Sequence, residues 1–339
     1  MRSAPDFWWR SGSSLAWVLS PLAFFYRTYA AYRLRKSPKF KAPVPVICVG
    51  NLVVGGAGKT PTVMALVEAA RAAGRKPGIL SRGYGGRLRG PVSVDLDRHN
   101  AADVGDEPML LAKVAPTVVC ANRATGARHA LNHHDIDLLI MDDGLQNPRL
   151  GKDLNVVVVD GEQGVGNGFC LPAGPLRAPL GRQLAITGFL LVIGTGNAGK
   201  NVIRAAARQG RSVLHGELVA DPAANVGGSV VLAFAGIGRP QKFFSSLRQV
   251  GAKVDAQRAF PDHHVFTAQE AHELMVAAAD GDLRLITTAK DMARMGASSV
   301  DAVHRLAERT DVLNVNLRFR DEHSPKLIID RAIAAFKSS

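Results

Sequence analysis

The run Val46–Thr60, VICVGNLVVGGAGKT, constrains this chain more than any other stretch. A short apolar strand, Val46–Val49, feeds a glycine-rich turn that closes on Gly58-Lys59-Thr60, and a helical pattern continues to Ala73. That order builds a cradle for phosphate. Glycines let backbone N–H groups approach an anion, and the helix N-terminus adds partial positive charge. A lysine can reach terminal phosphates, and a threonine hydroxyl can hold Mg²⁺. Nucleoside triphosphate chemistry is the leading expectation, with Val53, Val54, Gly55, Gly56, Ala57, Gly58, Lys59 and Thr60 as the cradle.

The match to G-x-x-x-x-G-K-[ST] is imperfect, because Val53 stands where the first glycine belongs. Gly55-Gly56-Ala57-Gly58-Lys59-Thr60 is closer to the GG-x-GK-T loops of deviant P-loop proteins. Those often carry a second lysine before the paired glycines, where this chain has Val54.

Beyond the loop, strand and helix periods alternate. Gly78–Leu80, Val92–Val94, Thr117–Cys120, Leu138–Met141 and Asn155–Val159 read as strands, several of them continuous apolar runs of the kind buried in parallel sheets. Glu107–Val114 reads as a helix. After a glycine- and proline-rich stretch, Gly161–Gly181, expected to bridge two lobes, the alternation resumes. Phe189–Ile193, Val230–Phe234, Leu283–Thr287 and Val312–Val315 read as strands, Arg239–Val250 and Ala268–Ala279 as helices. The expected fold is α/β: a P-loop NTPase-like, doubly wound, mostly parallel sheet with a second, smaller α/β lobe and an N-terminal amphipathic helix. The expected division is an N-terminal segment over 1–42, a P-loop core over 43–165 and a C-terminal lobe over 166–339 that completes the core and the substrate cleft.

Four further motifs carry polar chemistry. Leu138–Asp142 is an apolar strand ending in a carboxylate, followed by Asp143-Gly144. Beside a phosphate loop, Asp142 and Asp143 would help hold Mg²⁺; alone, they would merely close a tight turn. Ser81–Gly86, SRGYGG, follows a strand, and Arg82 could meet phosphate. In Gly105-Asp106-Glu107-Pro108 the acids either cap a helix or supply a general base in Asp106. In Asp262-His263-His264 a histidine beside a carboxylate could move or orient a proton, while metal-ligand spacing is lacking.

The chain has 42 basic and 29 acidic residues, a net charge of +13, which favours anionic partners. No nucleic-acid-binding motif accompanies that charge, so no nucleic-acid partner is expected. All three tryptophans and three of the four tyrosines lie within the first 32 residues, and Arg27, Arg33, Arg35, Lys36, Lys39 and Lys41 follow or interleave them. Aromatics favour the water–lipid boundary, and basic residues attract anionic headgroups. Ser20-Pro21 interrupts the apolar stretch, which is too short for a span of about 20 residues. A helix lying in a membrane surface is the favoured reading over one packed on the protein's own core. A signal peptide fits poorly, since no small-residue cleavage site is evident. Cys48, Cys120 and Cys170 lie far apart, as isolated buried thiols would.

In sequence order, GNLVVGGAGKTP (Gly50–Pro61), SRGYGG, GDEP, DDGLQ (Asp142–Gln146), GNGFCLPAGPLR (Gly166–Arg177), FAGIGRP (Phe234–Pro240), FPDHH (Phe260–His264) and TTAKD (Thr287–Asp291) resemble the tetraacyldisaccharide 4′-kinase (lipid A 4′-kinase) family over nearly the whole chain. The resemblance implies a two-lobed enzyme on the cytoplasmic face of a Gram-negative inner membrane, peripheral or monotopic, with the anionic membrane surface as a partner. It implies transfer of the γ-phosphate of ATP, with Mg²⁺, to the 4′-hydroxyl of an acylated glucosamine disaccharide 1-phosphate. It implies Lys59 and Thr60 at phosphate and metal, Asp142 and Asp143 at metal, and Asp106 as the base with His263 as its partner; Asp143 also falls in the catalytic set. Asn51, Arg82, Tyr84, Gln146 and Arg177 become candidate substrate contacts. Ala178 and Ala289 stand where the family often has glutamate, so no role carries over to those positions.

Two rivals remain at this level. A partitioning-type ATPase switch would give FPDHH no role. A metal-delivery GTPase would use Thr288-Ala289-Lys290-Asp291 to read guanine.

Overall fold

The computed structural model describes residues 4–221 and 225–338. The apolar runs become the strands: β1 Val46–Asn51, β2 Pro77–Ser81, β3 Val92–Ser93, β4 Thr117–Val119, β5 Leu138–Asp142, β6 Leu154–Asp160, β7 Phe189–Ile193, β8 Ser212–Ala220, β9 Val230–Ala235, β10 Lys253–Ala259, β11 Arg284–Thr288, β12 Thr310–Leu313 and β13 Val315–Phe319. A nine-stranded sheet has the order β13-β8-β7-β6-β1-β5-β2-β4-β3, and a four-stranded sheet the order β10-β9-β11-β12. Strands β8 through β4 of the large sheet run parallel. Among the described residues, only the edge strands β3 and β13 pair antiparallel. The small sheet is parallel throughout.

β1 and β5 are buried at every residue, as strands covered by helices on both faces must be. On one face, the helix Lys59–Ala72 buries Val63, Leu66, Val67 and Ala70 against β1, β5 and the C-terminal helix Ser324–Lys337. Each of the three larger side chains contributes roughly 1.5–3 kcal/mol by burial, which fixes the start of the helix, and hence Lys59, relative to the end of β1.

The sheets do not divide where the sequence implied. β7 and β8 continue the large sheet past residue 165, and β13 returns to it after the small lobe. The apolar run taken as Val312–Val315 is two strands in different sheets, split at Asn314. The second sheet therefore occupies only residues 230–313. The glycine- and proline-rich stretch before β7 is not the connection between the lobes, since the large sheet continues on both sides of it, although Glu162 at its start meets Arg239 and Lys242 of the small lobe. Its Val53–Leu176 bridge and the Val54 N–H bond to Pro175 O (2.9 Å) lay it along the phosphate loop.

The N-terminus is a 3₁₀ turn, Asp6–Trp9, and two helices, Ser14–Val18 and Ser20–Leu34, rather than one helix. Ala16, Ala23 and Ala30, spaced by seven, are buried on the body. Trp17, Val18, Phe24 and Phe25 are 61–73% exposed. No helix among the described residues is long and apolar enough to cross a membrane. All three cysteines are buried thiols.

Candidate active site

The phosphate loop runs from β1 to Lys59. Gly55 and Gly58 have φ of 114° and 88°, a region that side chains rarely adopt. A Cβ on Gly58 would also come within 2.7 Å of Ile193. Lys59 Nζ lies 3.5 Å from Gly55 O and 3.9 Å from Asp143 Oδ1, and Thr60 is buried next to it.

Asp142 ends β5 and is 1% exposed. Its Oδ2 accepts from Ser81 Oγ (3.2 Å), while Oδ1 is buried with no hydrogen-bond partner. Burial, then the charges of Glu107 and Asp143, push its carboxyl up to about 7, against the pull of Lys59 and Arg123. Buried Arg123 donates to the backbone oxygens of Cys120 (2.8 Å) and Asp142 (3.2 Å), fixing the strand end. Asp143 behaves oppositely. Burial would raise it, but Lys59 and Arg177 outweigh burial and hold it at about 2. Asp143 has φ 46°, and its Oδ1 accepts from Arg177 Nη1 at 2.8 Å.

A buried carboxylate oxygen with no protein partner and a raised proton affinity suits a cation ligand. No group of three or more His, Cys, Asp or Glu able to hold a metal occurs among the described residues. A divalent ion at Asp142 and Thr60 would thus take most of its ligands from phosphate and water, which suits Mg²⁺.

The second lobe faces this site with cations. His263 Nδ1 lies 3.4 Å from Asp106 Oδ2, and Arg294 Nε donates to the same oxygen at 3.2 Å. Lys290 Nζ donates to Glu107 Oε1 at 2.5 Å. Burial alone would raise Asp106, but His263, Lys290 and Arg294 hold its carboxyl well below the usual range. Hydrogen bonding to Asp106 raises His263 above an ordinary imidazole. Gly105 (φ 97°) turns the chain so that Asp106 opens the helix Asp106–Ala112. His263 itself sits at φ 59°, its N–H on Gly236 O, and its ring meets that of Tyr84 at 5.5 Å.

The candidate substrate contacts separate. Tyr84 is beside His263, and Arg82 on the same loop is exposed. Asn51 and Gln146 brace the phosphate loop instead. Fully buried Asn51 donates to Gly55 O (2.9 Å), and Gln146 donates to Asn51 O (3.0 Å) and to Gln183 Oε1 (2.9 Å). Arg177 joins the loop to the acidic pair, with Nε on Val53 O (3.0 Å) and Nη1 on Asp143. Sequence reasoning gave Arg294, Arg123 and Gln183 no part, and Lys290 a part only in the guanine-reading alternative. The motif TTAKD was the one signal for Lys290; for the others there was none.

Asp291 removes the guanine-reading alternative. It is fully buried and spent on Gly236 N (3.0 Å), Thr288 Oγ1 (2.6 Å) and Arg294 Nη1 (3.0 Å).

A family model described as tetraacyldisaccharide-1-P 4′-kinase matches residues 15–334. The chain belongs to that family. A tetraacyldisaccharide 4′-kinase of Allorhizobium ampelinum is 47% identical over 99% of both chains. One from a Methylobacterium species is 50% identical over 88% of this chain and 91% of its own. The solved structure of the "apo" form of LpxK from Aquifex aeolicus in complex with ATP superimposes with a TM-score of 0.70. It is 26% identical and covers 94% of this chain and 99% of its own.

Proposed function

We propose that this chain transfers the γ-phosphoryl group of ATP to the 4′-hydroxyl of tetraacyldisaccharide 1-phosphate, the lipid A 4′-kinase reaction. The observation that carries the reading is the juxtaposition, in a member of this family, of a phosphate loop and an acidic strand end with the Asp106–His263 pair across the lobe junction. Phosphoryl transfer is chiefly positioning and charge neutralisation. The loop N–H groups and Lys59 bind and orient the triphosphate. Thr60, Asp142 and Asp143 would hold Mg²⁺, which when bound offsets phosphate charge.

Asp106 takes the proton of the attacking hydroxyl. A carboxylate held below its usual range is a weak base. The transition state is loose, however, and the hydroxyl becomes strongly acidic only as the new O–P bond forms. When the imidazole is in its neutral form, the proton can pass on to His263, whose proton affinity Asp106 raises. Arg177 steadies Asp143 and the loop, and Tyr84 and Arg82 flank the acceptor. The exposed aromatic face of residues 15–32, with its neighbouring arginines and lysines, rests on the cytoplasmic surface of an anionic inner membrane where the acylated substrate resides.

The test is purified protein in detergent with radiolabelled ATP and the acylated disaccharide 1-phosphate, with and without its 4′-hydroxyl. Label should enter only the intact acceptor. Equal labelling of the 4′-deoxy compound, or ATP hydrolysis indifferent to the acceptor, would overturn the assignment.

A further inference from the structure

The N-terminal segment reaches the phosphate loop through one stretch of chain, residues 166–177. On the outer side, Trp8 Nε1 donates to Pro172 O at 2.9 Å and Asn167 N donates to Trp8 O at 2.8 Å. A Cβ on Gly166 would strike the Trp8 carbonyl, so the two backbones touch. Further along, Tyr26 Oη donates to Arg177 O at 3.1 Å. On the inner side, the stretch is laid against the loop. Val54 N donates to Pro175 O, Arg177 N donates to Leu52 O, both at 2.9 Å, and the Arg177 side chain spans from Val53 O to Asp143. Trp9 and Tyr26 pack against the apolar cluster that contains Leu52, Val53 and Leu176.

Anchoring to a membrane needs none of this. It needs the outward face, where Phe24 and Phe25 are exposed; Trp17, also exposed, meets the ring of Phe169 at the edge between the two faces. Trp8 and Tyr26 are only partly exposed, and their polar atoms bond to backbone carbonyls of the 166–177 stretch. The segment thus has two faces with different work. One meets the surroundings; the other supports the chain that carries Arg177.

We propose that Trp8 and Tyr26 are positioning residues of the nucleotide site, holding residues 166–177 against the phosphate loop so that Arg177 stays on Val53 and Asp143. This deepens the kinase reading above and rests on it for the identity of the nucleotide. A displaced Arg177 releases Asp143 and slackens the loop, so the loss falls on ATP rather than on the lipid acceptor.

The test uses the full chain in detergent micelles at saturating lipid, with vesicle co-sedimentation in parallel. Tyr26→Phe keeps the ring and Trp8→Phe puts a smaller aromatic ring in place of the indole; each removes one donor. Each should raise the KM for ATP and the Kd of a fluorescent ATP analogue about 3–10-fold, the range of one lost hydrogen bond. The KM for lipid and vesicle binding should stay as in the wild type. Phe25→Ser, on the outer face, should do the reverse, weakening vesicle binding with ATP affinity unchanged. Unchanged ATP affinity in both inner-face variants would overturn the proposal. So would losses shared equally by ATP, lipid and vesicles, which would mean that the inner face only packs the anchor. A wild type that bound no ATP would remove the kinase reading first and this proposal with it, whereas normal wild-type ATP binding with unmoved variants removes this proposal alone.

Discussion

Replacing Asp142 by Asn should stabilise the nucleotide-free protein while crippling it. Asp142 is 1% exposed, its Oδ1 has no partner, and its carboxyl is pushed up to about 7. In the unfolded chain it titrates near 3.9. A folded pKa above the unfolded one means that the group's contribution to stability is present in full below about pH 4 and lost as pH rises through about 7. The gap is about three pKa units, so the ionised side chain costs the fold up to about 4 kcal/mol at pH 8. Asparagine removes that charge and can still accept from Ser81. Its amide N–H groups then lack acceptors, which takes back about 1–3 kcal/mol. The net gain is about 1–3 kcal/mol, or roughly 1–4 °C in melting temperature for a chain of this size. Differential scanning fluorimetry without nucleotide, at pH 8 and pH 5, reads it directly. At pH 5 the wild-type side chain is already mostly protonated, so the advantage should shrink by more than half. Turnover should fall at least about 100-fold, because charge stabilisation at the phosphates is lost. A variant that melts below the wild type at pH 8, or whose advantage is the same at pH 5, would refute the reasoning.

Lys59→Ala should reduce transfer at least about 1,000-fold with circular dichroism unchanged; near-normal turnover in a folded protein would remove the phosphate-loop assignment. Asp106→Ala and His263→Ala should each lower kcat far more than ATP affinity, with the double variant little worse than the poorer single one; multiplicative losses would separate the two residues. The Asp106–His263 contact should also shape stability against pH. Asp106's share is present above about pH 4 and lost as pH falls through its depressed value, and His263's share is present below about pH 6.5 and lost as pH rises through its raised value. His263→Asn should therefore flatten the alkaline limb of the melting-temperature profile and, because His263 is one of the groups that hold Asp106 low, make the acid limb shallower as well; a variant whose profile keeps the wild-type shape would show that the contact carries no such linkage.

The large sheet's core was legible because its strands are buried on both faces. β1, β5, β6 and β7 each carry an unbroken apolar run of four or five residues, the pattern of a buried parallel strand, with turn signals close by to exclude a longer helix. β8 and β10 were missed for the converse reason. SVLHGELVA and KVDAQRA alternate with exposed polar residues and glycine, and their pairing partners lie elsewhere in the chain. The lobe boundary was misread because β13 follows β12 after one residue, Asn314, yet pairs antiparallel with β8 in the other sheet. Pairing register is a tertiary fact, and the local pattern at residues 310–319 carries no trace of it.

The site divides along the same line. Loop, lysine and acidic strand end are close in sequence or attached to strongly patterned strands, so their chemistry could be read from residue order. The cations that set the acids' charge could not, because the lobe junction sorts charge by lobe. Asp106, Glu107, Asp160 and Glu162 come from the large lobe; His263, Lys290, Arg294, Arg239 and Lys242 from the small one. Partners lie 77 to 188 residues apart, and no periodicity links such positions. The net charge of +13 says only that bases exceed acids; it cannot say that the excess of one lobe faces the acids of the other. Resemblance to a family could pair Asp106 with His263, since motifs carry roles. It left Arg294 without one, although this side chain binds Asp106, Asp291 and the backbone oxygens of Gly236 and His264 at once. By bonding Gly236 O at the strand end and His264 O next to His263, Arg294 braces the turn that presents the imidazole to its carboxylate, together with the His263 N–H on Gly236 O.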